Sequence, residues 1–299
     1  MPGNSVGIFG LGAMGLGMAG ALQRAGLTTH GFDINAEAVA RFQAAGGSTG
    51  TRDDVVATLD AVVIVVLNAA QTESVLFGEE GIAAKLAPGT AVIACATMAP
   101  VVARDLAARC DALGLHYIDA PISGGTVRAA DGTLSILASG SPAAFAKARP
   151  ALDAMAATVF ELGDQPGAGS SMKAINQMLV GVHIAAMAEA MTFGMTQGVS
   201  PEQFLKIIPQ CAGTSWALES RGPHVRDGDY TPLSAVDIWP KDLGIVMDIA
   251  HGAKFGAPIT AAALQQFMVA SGSGLGREDD AAVAKVYARN AGLTLPGQG

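Results

Sequence analysis

Residues 7–19 read GIFGLGAMGLGMA. The apolar run Val6–Gly10 reads as a strand that ends on Gly10-Leu11-Gly12-Ala13-Met14-Gly15, a GxGxxG. A helix-like segment follows and stops at Gly26. Such a triad is a weak signal by itself in a chain with 38 glycines. Set between a strand and a helix, it predicts the first turn of a βαβ unit built around a pyrophosphate. Gly10 permits the tight turn, Gly12 leaves space for a phosphate where any side chain would intrude, and Gly15 lets helix and strand pack closely. The helix start then offers free N–H groups and a partial positive charge. Leu11, Ala13 and Met14 complete the predicted cofactor loop. Asp33 ends the next strand-like run, Thr29–Asp33, 18 positions after Gly15. A carboxylate there accepts from both adenosine ribose hydroxyls and repels a 2′-phosphate. No Arg or Lys follows until Arg41. The residues favour NAD over NADP.

The rest of the first half repeats the alternation. AVVIVVL (Ala61–Leu67), TAVIACAT (Thr90–Thr97), HYIDAP, LSILASG and TVFELG (Thr158–Gly163) read as further strands. Their shortness and Val/Ile content distinguish them from buried helix, and continuous apolar runs imply a parallel sheet covered on both faces. At GDQPGAGSS (Gly163–Ser171) the composition turns to Gly, Pro and Ser, which marks a connection. Beyond it no strand pattern is convincing. A long Ala- and Met-rich segment from Ser171 to about Gly198 reads as one buried helix. SPEQFLKIIPQ, with Ser200 as N-cap and Pro201 in the first turn, KDLGIVMDIAHGAK, PITAAALQQFMVAS and EDDAAVAKVYARN read as more. The predicted architecture is an α/β Rossmann domain, a doubly wound and mostly parallel sheet, over residues 1–164. An all-helical substrate and oligomerisation domain over 165–299 begins with a long interdomain helix. Its helices are more apolar than a domain of about 100 residues buries easily, which predicts a homo-oligomer, a dimer or tetramer.

Composition narrows the function. The 299 residues are half hydrophobic and carry a net charge of −8. Nucleic acid, which requires clustered Lys and Arg, is therefore not an expected partner. Cys95, Cys110 and Cys211 form no CxxC pair, and the five histidines show no metal-ligand spacing. Reduced thiols, a cytoplasmic location and no metal are expected. MPGNSVGIFG lacks the pattern of a signal peptide, and the strongest apolar run, taken as Ala61–Leu67, is too short to cross a bilayer. A small-molecule substrate is the expectation.

SMKAINQ (Ser171–Gln177) places an ammonium and two amides at the head of the apolar helix. A cation is mildly unfavourable at a helix N-terminus, so Lys173 invites a functional explanation. Asn176 and Gln177, three and four positions on, share its face.

Four stretches in order, GLGAMGLGMA (10–19), DAPISGG (119–125), GAGSSMKAINQ (167–177) and KDLGIVMD (241–248), resemble the β-hydroxyacid dehydrogenase family. The resemblance spans the chain and implies NAD(P)-dependent oxidation of small hydroxy acids. It assigns Lys173 as the catalytic lysine, and Ser123, Gly124 and Gly125 as the loop that holds the substrate carboxylate. Leu67, Asn68, Thr97 and Lys241 fall on cofactor-contacting positions, with Asp242 beside the substrate. Many family members read KxxNN where this chain reads Lys173-Ala-Ile-Asn176-Gln177. The longer amide counts against the simplest acids, and NQxLxGVHIA (176–185) resembles the branch that acts on four-carbon sugar acids, with L-threonate as the favoured substrate. The alternatives are 3-hydroxyisobutyrate, or a tartronate semialdehyde or glyoxylate-type acid.

Alcohol oxidation needs a hydride acceptor, a group for the hydroxyl proton and an anchor for the carboxylate. Lys173 suits the second role once burial disfavours its charge. Asn176 and Gln177 suit substrate hydroxyls, and the Ser123–Gly125 backbone suits the carboxylate. Trp216 is a candidate pocket residue. His183 is a weaker one, and Glu189 reads as structural. Two readings compete: a non-catalytic dinucleotide-binding sensor on the same fold, and imine reduction, which Lys173 argues against.

Overall fold

A computed structural model describes residues 4–48 and 50–297. The expected apolar runs become β1 (Ser5–Phe9), β2 (Thr28–Phe32), β3 (Ala61–Ile64), β4 (Ala91–Ala94) and β5 (His116–Asp119). They pair in parallel in the order β2-β1-β3-β4-β5. Val6 lies beside Thr29 on one side and Ala61 on the other. Every residue of β3 and β4 is buried. Both faces of the sheet are covered, which is why these strands show no apolar–polar alternation. β3 stops at Ile64, before the expected Leu67, because the chain leaves the sheet there to start the helix Ala69–Phe77.

A second sheet holds β6 (Ile122–Ser123), β7 (Leu134–Ala138) and β8 (Ala156–Glu161). β6 runs antiparallel to β7, and β7 parallel to β8. The later strands thus do not extend the first sheet as a simple parallel series. Asp119 and Ser139 instead exchange both backbone hydrogen bonds, at 3.0 and 2.9 Å, in a single antiparallel bridge. Pro121, which has no N–H to offer a ladder, follows directly.

The chain divides into two compact units, one running to Lys173 and one from Ala174 onward. The first ends nine residues after the expected boundary at 164. The opening turn of the long helix Ala168–Thr196 is hydrogen-bonded to Asp119 and Ser139, so it packs with the first unit.

Among the described residues of the second unit the named elements are all helical. Ser200 caps Pro201–Ile207 as expected, with Gln203 closing a reciprocal capping box. Trp216–Asp227 was not expected as a helix, because Gly222 and Pro223 interrupt its pattern. The Ser215 side chain starts it by accepting from the Leu218 N–H at 3.1 Å. Ile238–Gly252, Pro258–Ala270 and Val283–Asn290 complete the unit. Its core gathers Met187, Met191, Trp239, Phe267 and Val286. Within it Asp280 accepts from Arg221 Nε at 2.6 Å and from Trp239 Nε1 at 2.9 Å. Burial pushes the Asp280 carboxyl up to about 6, with the Arg221 charge opposing.

By length and composition the helix Ala168–Thr196 is apolar enough to cross a membrane, a span that the shorter run Ala61–Leu67 cannot make. Ile184, Met187, Ala188 and Met191 on that helix are buried in the second unit's core, as in the core helix of a globular domain.

Candidate active site

The glycine turn has the expected conformation. Gly10 takes φ +100°, and a methyl there would collide with the Val65 carbonyl. A methyl on Gly15 would collide with the Gly10 carbonyl. At Gly12 the space is open, with nothing within 4 Å of an added carbon. Two glycines therefore serve the turn itself, and the third keeps a space clear. That space opens on a groove of about 520 Å³ lined by Gly12, Ala13, Leu16, Arg41, Thr126 and Val127. The helix that follows, Gly15–Arg24, has no side-chain cap, and its Leu16 N–H donates to the Gly12 carbonyl at 3.1 Å. These features fit a pyrophosphate.

Asp33 sits at the end of β2, half-buried. Its Oδ2 accepts from the Leu11 N–H at 2.6 Å and its Oδ1 from the Asn35 N–H at 2.8 Å. The carboxylate expected to read a ribose also braces the phosphate loop. Asn68 caps the helix Ala69–Phe77 by accepting from the Gln71 N–H at 2.9 Å. Beside it the exposed Leu67 donates its N–H to Gln71 Oε1 at 2.8 Å. Thr97 lies half-buried just past β4. Arg41, Thr126 and Val127 were not anticipated in this groove, since nothing in their local sequence ties them to the glycine turn.

Lys173 also belongs to the first unit. It is only 8% exposed, and its Nζ donates to the Ile122 carbonyl at 2.9 Å. Ile122 directly precedes Ser123, Gly124 and Gly125, so the structure brings the lysine to the head of the predicted carboxylate loop. Gly124 and Gly125 hold φ +138° and +74°, a loop conformation suited to glycine.

The helix start that carries Lys173 is fixed by a group the sequence reading missed. Asp119 is fully buried. Its Oδ2 accepts from the N–H groups of Gly167 at 2.9 Å and Ser170 at 2.8 Å, and its Oδ1 from the Ser170 hydroxyl at 2.7 Å. The Ser139 hydroxyl donates to Oδ2 at 3.4 Å and accepts from the Gly169 N–H at 3.0 Å. Burial raises the Asp119 carboxyl above its usual range, and these hydrogen bonds pull it back. The available signal was its place in DAPISGG, but no local pattern says that it caps a helix 50 residues later.

In the second unit, Asn176, Gln177, Asp242 and Lys241 form a chain of contacts. Asn176 Nδ2 donates to Gln177 Oε1 at 3.0 Å, and Gln177 Nε2 donates to Asp242 Oδ2 at 2.6 Å. The Lys241 ammonium lies 2.7 Å from Asp242 Oδ1. Gln177 is 7% and Asp242 2% exposed. Both were expected to meet substrate directly; both are buried and engaged with neighbours, and the half-exposed Asn176 ends the chain. Trp216 opens its helix with most of its surface exposed, 6.0 Å from the Arg221 guanidinium. His183 is half-buried on the long helix.

Two family models match the chain. The NAD binding domain of 6-phosphogluconate dehydrogenase covers residues 5–163, and the NAD-binding region of NADP-dependent 3-hydroxyisobutyrate dehydrogenase covers 167–287. The L-threonate dehydrogenase of Cupriavidus necator is 49% identical over 301 residues, spanning 98% of each chain. That of Escherichia coli K12 is 46% identical over 295 residues, 98% of this chain and 96% of the relative. A crystal structure described as 3-hydroxyisobutyrate dehydrogenase from Salmonella typhimurium superposes with a TM-score of 0.89 at 46% identity, covering 95% of this chain and 99% of that one.

Proposed function

This chain belongs to the 3-hydroxyisobutyrate dehydrogenase family of NAD-binding hydroxyacid dehydrogenases, and we propose that it oxidises L-threonate to its 2-oxo acid with Lys173 as general acid–base. The observation that carries the mechanism is the buried lysine whose Nζ rests on the Ile122 carbonyl at the head of the Ser123–Gly125 loop. The substrate reading is supported by the Asn176–Gln177 pair and by several relatives of that activity at 45–49% identity.

NAD would be held by the Gly10–Gly15 turn and Asp33, and when bound it would supply the hydride acceptor. Everything else falls to the chain's own residues. Neutral Lys173 takes the proton of the hydroxyl on the carbon being oxidised and, as an ammonium, returns it in the reverse direction. The Ile122 carbonyl engages one N–H of the amine, which limits how the remaining positions on nitrogen can point. Ser123 and the N–H groups of Gly124 and Gly125 hold the carboxylate, which sets the distance from the anchor to the reacting carbon. Asn176 contacts a further hydroxyl. Leu67, Asn68, Thr97 and Lys241 are cofactor contacts, and Trp216 borders the substrate.

A screen of NADH production with L-threonate, D-erythronate, 3-hydroxyisobutyrate and D-glycerate, and of NADH loss with tartronate semialdehyde, tests the assignment. The largest kcat/KM is expected with L-threonate. A larger value with 3-hydroxyisobutyrate or tartronate semialdehyde would replace it with the corresponding relative's activity. We also read the enzyme as a cytoplasmic homo-oligomer without a membrane or nucleic-acid partner. The free thiols of Cys95, Cys110 and Cys211 support a reducing compartment. The exposed apolar side chains of Met172, Ile175, Leu179 and Phe193 on the long helix support self-association, and sedimentation velocity is the check.

A further inference from the structure

Gln177 is the residue at which this chain departs from the KxxNN pattern, yet its amide is buried and held at both ends. We propose that Asp242 is a positioning residue that acts through Gln177 to present the carbonyl oxygen of Asn176 as a hydrogen-bond acceptor for a substrate hydroxyl beyond the one oxidised. The proposal rests on the reading of the substrate as a polyhydroxylated acid.

The direction of the chain follows from the chemistry of its ends. A carboxylate paired with a lysine accepts hydrogen bonds and has none to give. The end of Gln177 that lies 2.6 Å from Asp242 Oδ2 is therefore its NH₂. Its other end is then Oε1, so Asn176 must turn its own NH₂ to it, at 3.0 Å. Reversing either amide would set oxygen against oxygen or donor against donor, in surroundings where an unmade hydrogen bond is costly. The charge on Asp242 thereby dictates which end of Asn176 is left at the free terminus: the acceptor Oδ1. Asn176 is half-exposed and one turn along the same helix from Lys173. An asparagine at 177, one methylene shorter, could not keep both contacts without moving the helix or Asp242. A site with a fixed acceptor favours acids that carry an additional hydroxyl and discriminates against those lacking it, since the oriented carbonyl would then stay unpaired.

The test is a specificity ratio: kcat/KM for L-threonate divided by kcat/KM for its 3-deoxy and 4-deoxy analogues, 2,4- and 2,3-dihydroxybutanoate. Wild type should prefer L-threonate over one of them by about tenfold or more, the worth of one well-made hydrogen bond. In Asp242→Asn and in Gln177→Met that same ratio should fall to within about threefold of one, mainly through KM, because the Asn176 amide is no longer held in one orientation. The double variant should lose no more than either single one. A merely structural role for Asp242, or a disturbed Lys241, would lower all three substrates alike and keep the ratio; that result in both variants overturns the proposal. If Asp242→Asn fails to fold by circular dichroism, Gln177→Met, close in shape, carries the test alone. If wild type prefers another polyhydroxylated acid, the L-threonate reading falls and the ratio is measured on that acid and its deoxy analogues. A wild-type preference for an acid with a single hydroxyl overturns the proposal.

Discussion

In the proposed site the Gly10–Gly15 turn acts through its backbone, whereas Lys173 and Asn176 act through their side chains. The turn needs residues that lack something. Gly10 and Gly15 have no carbon to strike a carbonyl, and Gly12 keeps a space empty. The helix face needs groups that possess something: an amine on the Ile122 carbonyl, and two amides whose polarity is set by Asp242. The first kind of site depends on neighbours within a few residues. The second depends on Asp119, Ile122 and Asp242, each about 50 or more residues from its partner in the chain. A site of the first kind should fail residue by residue, and one of the second kind should fail through its distant supports.

The largest effect is expected at Lys173→Ala. Turnover should drop by about 10²–10⁴-fold, the range for losing a general acid–base, while NADH titration by fluorescence shows unchanged cofactor affinity. Turnover like wild type would remove the proton-transfer role. Asp119→Ala tests a distant support. The N–H groups of Gly167 and Ser170 would lose their buried acceptor, which should destabilise the first unit by about 2–4 kcal/mol in urea unfolding and lower kcat as well. A drop in kcat with full stability would mean that Asp119 touches the reaction directly.

The glycines sharpen the comparison at a smaller scale. Gly12→Ala meets open space, so its melting temperature should stay within a degree or two of wild type, inside the roughly 0.5 kcal/mol of an unobstructed surface change. Its affinity for NADH should nonetheless fall by about tenfold or more, because the methyl occupies the phosphate's approach. Gly10→Ala, by contrast, should lose stability and binding together, since the turn itself cannot form. Equal behaviour of the two variants would contradict the division of labour between turn-forming and space-keeping glycines.

A further expected effect is a pH dependence. The Asp280 carboxyl is raised from 3.8 to about 6 in the folded state by burial. Between those values the folded chain holds a proton that the unfolded chain has released, so this group's contribution to stability is largest below pH about 4 and is lost as pH rises through 6. Urea unfolding of wild type and Asp280→Asn at pH 4.5 and 7 should show wild type relatively more stable at the lower pH. A constant difference, or one of opposite sign, would place the proton elsewhere.

The two halves of the candidate site were unequally legible in the sequence. Gly10, Gly12, Gly15 and Asp33 were readable because steric exclusion and strand–turn–helix order are local, and each has one physical reason to be what it is. Lys173 stood out because an ammonium at the head of an apolar helix is unfavourable without a use. Ser200 announced its helix for the same local reason, whereas Pro223 hid one in Trp216–Asp227, where packing around Ala217, Leu218 and Val225 outweighs a weak helical pattern. Asp119 was printed inside a recognisable stretch, but its partners lie near residue 170, and no periodicity reports on a pairing that distant.

The sequence by itself determined the covered parallel sheet and the glycine turn, and it singled out Lys173 as the candidate for proton transfer. Each follows from residue size, charge or spacing along one short segment. Tertiary structure decided the rest. It separated β6–β8 into a second sheet through the Asp119–Ser139 bridge, and it tied the opening turn of the long helix to the first unit. It also placed Gln177 in the middle of a chain that runs from Asp242 to Asn176. Hydrogen-bond direction is the reason: an amide can face either way, and only the carboxylate that folding brings beside it selects one.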